Sequence, residues 1–135
     1  MEILEKLKQL EENLKILEEL KKEFKVEDIV LNRRYEWELR YGLFESIQVI
    51  IDISCKIVNI YNLGKPENYR ECLELLGKFG YLKKEHIKRY VSMIGLRNLL
   101  VHEYATIDAE KLYSFLDNID DFKNFIDEVS ANIKI

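Results

Sequence analysis

Apolar side chains at Ile3, Leu7, Leu10, Leu14, Leu17 and Phe24 recur at steps of three, four or their sum, with Glu and Lys filling the positions between. That spacing lines one face of an α-helix and predicts a first helix from about Glu2 to Phe24, packed in a bundle rather than extended as a coiled-coil arm. Glu27 and Asp28 suit a helix amino terminus, and no strong breaker follows until Gly64 and Pro66. A second helix of about 35 residues is therefore expected, with Gly42 its weak point unless it serves as the spine for the others. Its second half, SIQVIIDISCKIVNIY, is apolar on more than one side, so it is buried on several sides, and a partner subunit is one way to bury it.

A third helix is expected over Tyr69–Lys78, ending in the Gly77 and Gly80 region. A fourth starts near Lys83 and runs into MIGLRNLLVHEY. Thr106 or Asp108 can cap a fifth, carried by Leu112, Phe115, Leu116, Ile119, Phe122, Ile126 and Val129. No alternating strand pattern or internal repeat is present. The expected fold is all-α: one domain over residues 1–135, an antiparallel bundle of about five helices with a long second helix.

Composition narrows this picture. The chain has 135 residues, 47% of them hydrophobic and 34% charged, with one proline and five glycines. These values exclude disordered, collagen-like and turn-dense all-β chains. The formal charge is −4, which argues against indiscriminate attraction to nucleic acid or anionic membrane. Asp108, Glu110, Asp117, Asp120, Asp121, Asp127 and Glu128 face only Lys111, Lys123 and Lys134, so the segment after Ala105 carries all of that charge. Lys83, Lys84, Lys88, Arg89 and Arg97 face only Glu85 and form a basic island. The island is either an RNA-contacting surface or a solvated helix face.

Cys55 and Cys72 have no metal-like or redox-like spacing and are expected as reduced, packed thiols. No run approaches the roughly 20 apolar residues of a membrane span, and the amino terminus lacks the uninterrupted apolar stretch of a signal peptide. The expected location is the cytoplasm. The glycines form no phosphate-binding loop, and His86 and His102 fit neither the two-histidine zinc helix nor a di-iron motif. Neither a metal nor a cofactor is expected.

One constellation carries chemistry: Arg97, then His102 five residues on, then Tyr104. Arginine offers a permanently charged fork for phosphate oxygens, histidine moves protons near neutral pH, and tyrosine supplies a modifiable hydroxyl. With RNA as substrate, the 2′-hydroxyl is an internal nucleophile, so a base and a cation suffice. On an ideal helix Arg97 and Tyr104 lie within roughly 20° of one face, whereas His102 points roughly 140° from Arg97. Either the helix loosens before His102, or His102 completes a site across a subunit boundary. From spacing alone, an ion pair for Arg97 and packing for His102 and Tyr104 remain the alternative. Asp52 sits among Ile50, Ile51 and Ile53; it either orients Arg97 or His102 or occupies an exposed position on helix two. Trp37, Tyr35 and Tyr41 are expected as packing or interface aromatics rather than base-stacking platforms.

The run GLRNLLVHEY, with QVIIDISCKIV before it and TIDAEKLY after it, resembles the HepT toxins of the HEPN superfamily over nearly the whole chain. These are small all-α proteins found with a minimal nucleotidyltransferase partner. The resemblance implies a metal-independent endoribonuclease toxin of a type II/VII-like toxin–antitoxin system. It acts as a homodimer, with Arg97 and His102 lining an interfacial cleft and Asn98 as a supporting polar group. It further implies that Tyr104 is adenylylated by the nucleotidyltransferase antitoxin, closing the cleft by bulk and like-charge repulsion. A non-catalytic nucleotide-binding or adaptor subunit of a nucleotidyltransferase complex is the other function class left open.

Overall fold

A computed structural model describes residues 2–102 and 107–133. Its helices are α1 (Glu2–Glu23), α2 (Val26–Leu31), α3 (Arg33–Ile60), α4 (Tyr69–Lys78), α5 (Lys84–His102), α6 (Ala109–Ser114) and α7 (Ile119–Asn132), with a 3-10 turn at Phe115–Asn118. Among the described residues there is no strand.

The long helix is the spine, in contact with α1, α4 and α5. Residues ascending α1 meet residues descending α3: Glu2 with Lys56, Lys6 with Asp52, Asn13 with Glu45. The same antiparallel order pairs Arg89 of α5 with Asp121 of α7 and Lys123 of α7 with Glu18 of α1. Leu39, Leu43, Ile47, Ile50, Ile53 and Ile57 of α3 are fully buried, so the two-sided apolar pattern is covered largely within the chain. Ser46 and Ser54 are buried with them; each hydroxyl donates to the carbonyl four residues earlier, at 2.7 and 2.8 Å.

Two expectations are corrected, and of the two alternatives for the long helix, a bend at Gly42 or a spine, the spine holds. The predicted second helix is interrupted at Asn32, whose backbone is extended (φ −130°, ψ 106°) and whose side chain accepts from the Arg34 amide at 3.0 Å. An asparagine that caps a new helix ends the old one. Gly42, the expected weak point, lies inside unbroken α3, where a Cβ would stand 2.9 Å from Leu17 Cδ2; this glycine lets α1 approach. The fifth helix is divided into α6, the 3-10 turn and α7, and Asp108 caps it by accepting from the Lys111 amide at 2.7 Å. Thr106, the other candidate cap, lies outside the described residues. Helix α4 occupies Tyr69–Lys78 as expected.

The cysteines are corrected too. Cys55 on α3 and Cys72 on α4 form a disulfide. Their sequence spacing suggested nothing because the pairing arises from side-by-side packing of two helices around the turn after Tyr61. Thiol titration of the unfolded protein should find two thiols only after reduction, and reduction should lower stability by about 3 kcal/mol for a loop of this size.

One polar cluster locks α5 to α7. Glu128, 7% exposed, accepts from the Lys83 backbone amide and the Tyr90 hydroxyl, and its Oε2 lies 3.1 Å from His86 Nδ1. Burial pushes its carboxyl upward, but the Tyr90 hydroxyl, the Lys83 amide and the His86 ring outweigh that and hold it below its ordinary value of 4.5. Burial, then the Glu128 carboxylate, pushes the Tyr90 phenol above its ordinary range. Glu128→Ala should cost about 2–3 kcal/mol at pH 7, since it strands the buried Tyr90 hydroxyl and leaves the Lys83 amide without its acceptor. A depressed folded value means that this contribution is complete above pH 4.5 and is lost as pH falls through the lower folded value. Urea midpoints of the two proteins should therefore differ at pH 7 and converge in acid; equal midpoints at pH 7 would remove the cluster's structural role.

Candidate active site

Helix α5 is regular through His102. Loosening before His102 therefore does not occur, and Arg97 and His102 diverge by roughly 140° with about 7.5 Å between them along the axis. Tyr90, Met93, Ile94 and Leu100 are the buried residues of α5. Arg97 falls in the middle of the face they define. It is half-buried there, while Asn98 and His102 are exposed.

A cation on an inward face needs partners. Arg97 Nε donates to Gln48 Oε1 at 3.0 Å, and Nη1 donates to Asn98 Oδ1 at 3.1 Å. Its guanidinium carbon lies 5.8 Å from the Phe44 ring centre and 5.4 Å from that of Tyr69, within cation–π range of both rings. Gln48 Nε2 in turn donates to Asp52 Oδ1 at 2.9 Å, and Asp52 Oδ2 pairs with Lys6 Nζ at 3.6 Å. The amide can face only one way, because a flipped Gln48 would aim its NH₂ at the guanidinium and its oxygen at a carboxylate. Asp52 thus reaches Arg97 through Gln48, and does so from a side chain 40% exposed. Among the described residues only Nε and Nη1 of Arg97 donate hydrogen bonds, which leaves the outer N–H groups for an anion.

Sequence reasoning missed Gln48, Phe44 and Tyr69. The signal for the first two was present: Phe44, Gln48 and Asp52 step by four along α3, so they share a stripe. Tyr69 was recoverable only from the packing of α4.

The basic island is not gathered at Arg97. Lys84 lies roughly 20 Å from it along α5 and Lys88 on the opposite side of the helix. Arg89 pairs with Asp121 at 3.6 Å, and the backbone amide of Lys83 is tied to Glu128. Lys83, Lys84 and Lys88 are exposed. Tyr104 and Glu103 lie outside the described residues. Among the described residues no cluster of His, Cys, Asp or Glu is arranged to hold a metal ion, and no helix is long and apolar enough to cross a membrane. Tyr35 packs on Phe24 with ring centres 4.0 Å apart, as expected of a packing aromatic, whereas Trp37 and Tyr41 are 58% and 63% exposed.

Comparison with known proteins bears on this site. A family model described as ribonuclease HepT-like matches residues 10–129. The mRNA nuclease HepT of Shewanella oneidensis is 25% identical over 114 residues, covering 84% of this chain and 79% of the relative. The tRNA nuclease HepT of Aphanizomenon flos-aquae is 38% identical over 66 residues, covering 49% of this chain and 45% of the relative. A solved structure of the tri-AMPylated Shewanella oneidensis HEPN toxin in complex with MNT antitoxin shares the fold, with a TM-score of 0.86, 22% identity and coverage of 96% of both chains.

Replacing Arg97 with methionine keeps the stem's packing against Phe44 and removes a partly desolvated charge, so Arg97→Met should melt no lower than the parent and gain up to about 1 kcal/mol. A loss above about 2 kcal/mol would mark Arg97 as a structural residue instead.

Proposed function

Because this chain belongs to the HepT-like ribonuclease family, we propose that it is an endoribonuclease toxin that works as a homodimer without a metal ion and is silenced by a minimal nucleotidyltransferase antitoxin. The observation that carries this reading is the half-buried Arg97, fixed by Gln48 and two aromatic rings with Nη2 unengaged among the described residues, on the same helix as an exposed histidine.

In the proposed reaction His102 takes the proton from an RNA 2′-hydroxyl. The 2′-oxygen forms a bond to phosphorus as the bond to the 5′-oxygen breaks, and the departing 5′-oxygen takes a proton from water, leaving a 2′,3′-cyclic phosphate and a 5′-hydroxyl. Arg97 holds the phosphate oxygens as negative charge grows on them. Asn98 steadies one side of the guanidinium; Gln48, oriented by Asp52, steadies the other. The divergence along α5 supports a division of the two functions between subunits, in which Arg97 of one copy works with His102 of the second. Lys83, Lys84 and Lys88 contribute distant electrostatic attraction at most, with Arg89 already engaged by Asp121. Tyr104 is the proposed acceptor of adenylate, in keeping with the tri-AMPylated state of the Shewanella toxin.

The test is cleavage of single-stranded RNA in excess chelator. Arg97→Met and His102→Ala should each lower kcat by at least about 100-fold, the range for loss of one charge-stabilising or proton-transferring group. Mixed and allowed to exchange subunits, the two dead variants should recover about a quarter of parental activity, since half the dimers are mixed and each mixed dimer holds one intact site. No recovery would place both groups in one subunit. RNA left uncut by the parent, with adenylate still transferred to Tyr104, would favour the adaptor role.

A further inference from the structure

The aromatic side chains of α3 do not stop at Arg97's partner. Trp37, Tyr41, Phe44 and Gln48 step by four, three and four, so they form one stripe over about 16 Å of helix. Arg33 extends it, its guanidinium carbon 5.2 Å from the Trp37 ring centre. Two exposed rings, Trp37 and Tyr41, thus lead to the half-buried Phe44 and the Arg97 guanidinium beside it.

Beside this stripe lies a cavity of about 390 Å³ lined by Trp37, Arg40, Tyr41, Phe44, Leu100 and Val101. Its size is in the range of small-ligand pockets, roughly 300–1,000 Å³. Phe44 is shared: one ring lines the cavity and carries the Arg97 cation. Val101, one turn beyond Arg97, closes the side formed by α5.

Charge chooses the occupant. A second cavity of about 480 Å³ lies across Trp37 and Tyr41, and its lining includes Glu38 and Glu45. The Tyr41 hydroxyl, then the amides of Asn13 and Gln9, hold Glu45 below its ordinary range despite partial burial, so that side stays anionic. Among the described residues, the first cavity has no carboxylate in its lining. Its one charged residue among those described, Arg40, donates from Nη2 to the Ile107 carbonyl at 2.7 Å and pairs through Nε with Glu36 at 3.6 Å. An aromatic cavity between the Arg33 and Arg97 cations suits a polyanion carrying flat rings, whereas the neighbouring cavity repels it.

Building on the ribonuclease reading, we propose that the Trp37, Tyr41 and Phe44 stripe is the substrate's base-binding track, and that its cavity receives an unstacked base next to the phosphate held by Arg97. Bases enter such a cavity only after leaving their stack, so single-stranded segments bind and continuous duplex does not. The exposed Trp37 and Tyr41, expected from sequence to be packing or interface residues, are assigned here to substrate.

Trp37 is the only tryptophan in the chain, which gives a direct readout. Full-length His102→Ala protein titrated with a single-stranded 12-nucleotide RNA should show saturable quenching of tryptophan fluorescence, and the same sequence as a blunt duplex should show little. In otherwise parental protein, Trp37→Ala and Tyr41→Ala should each raise KM for the single strand about tenfold, the usual loss on removing one stacking ring, with kcat nearly unchanged. Trp37→Phe should restore most of the affinity, which a merely structural role would not require, and melting curves should stay close to the parent because both rings are exposed. If the parent cleaves RNA but no quenching occurs and KM is unmoved, the track is overturned while the ribonuclease reading stands. If the variants bind RNA normally but lose their complex with the nucleotidyltransferase, the stripe is a protein-docking face and the track is again overturned. If the parent neither binds nor cuts RNA, both readings fall together.

Discussion

A permanent cation on the inward face of α5 is what the rest of this structure must accommodate. The same face buries Tyr90, Met93, Ile94 and Leu100, and a guanidinium among them loses hydration that only well-placed partners restore. A carboxylate in direct contact would neutralise it. Instead an amide stands between them: Gln48 accepts from Arg97 and donates to Asp52. The interposed amide fixes the orientation of the guanidinium without neutralising it, and among the described residues Nη2 donates no hydrogen bond. Phe44 and Tyr69 complete the setting with ring faces, which favour a cation without supplying a counter-charge. That arrangement holds a positive charge in readiness at some cost to packing.

The helical plan was legible because it rests on apolar periodicity, which local sequence displays. The end of α4 followed instead from Gly77 and Gly80, and the spine role of the long helix from its length without a strong breaker. The break at Asn32 was not legible, because an asparagine acts as a cap only when the backbone before it turns extended, and nothing in its neighbours demands that. The disulfide and the Glu128 cluster were invisible for a different reason. They join Cys55 to Cys72 and Glu128 to Lys83, His86 and Tyr90 across packed helices, and one sequence contains no record of which surfaces meet. Asp52 stands between these cases. Its placement in an isoleucine run announced a polar requirement on α3, but the relay through Gln48 needed the coordinates.

Charge on the molecule is divided in a way its total conceals. The acidic carboxy-terminal segment folds back along α5, so Asp121 and Glu128 face the end of that helix where the lysines and Arg89 lie. The basic island is thereby partly answered from within the chain, and the other end of α5 retains its positive character in Arg97. A net charge of −4 gives little long-range attraction for RNA. Under the proposed function, selection among RNAs falls on short-range fit between rings, guanidinium and an unpaired strand rather than on bulk electrostatics.

The five-residue step from Arg97 to His102 carries the final consequence. At a step of four, both groups would share a face of α5 and one subunit could complete a site alone. At five, in a helix regular to His102, no rotation of side chains alone removes the roughly 140° between their directions. Under the proposed mechanism, a second copy supplies what the helix withholds, and two-fold symmetry then creates two equivalent sites from one contact. Assembly and activity become a single equilibrium, governed by subunit concentration and by anything that binds one association state better than the other. A modification on Tyr104, two residues beyond His102 in sequence, would then act at the region where the shared site is built, so that a single adenylated tyrosine bears on the groups of both subunits.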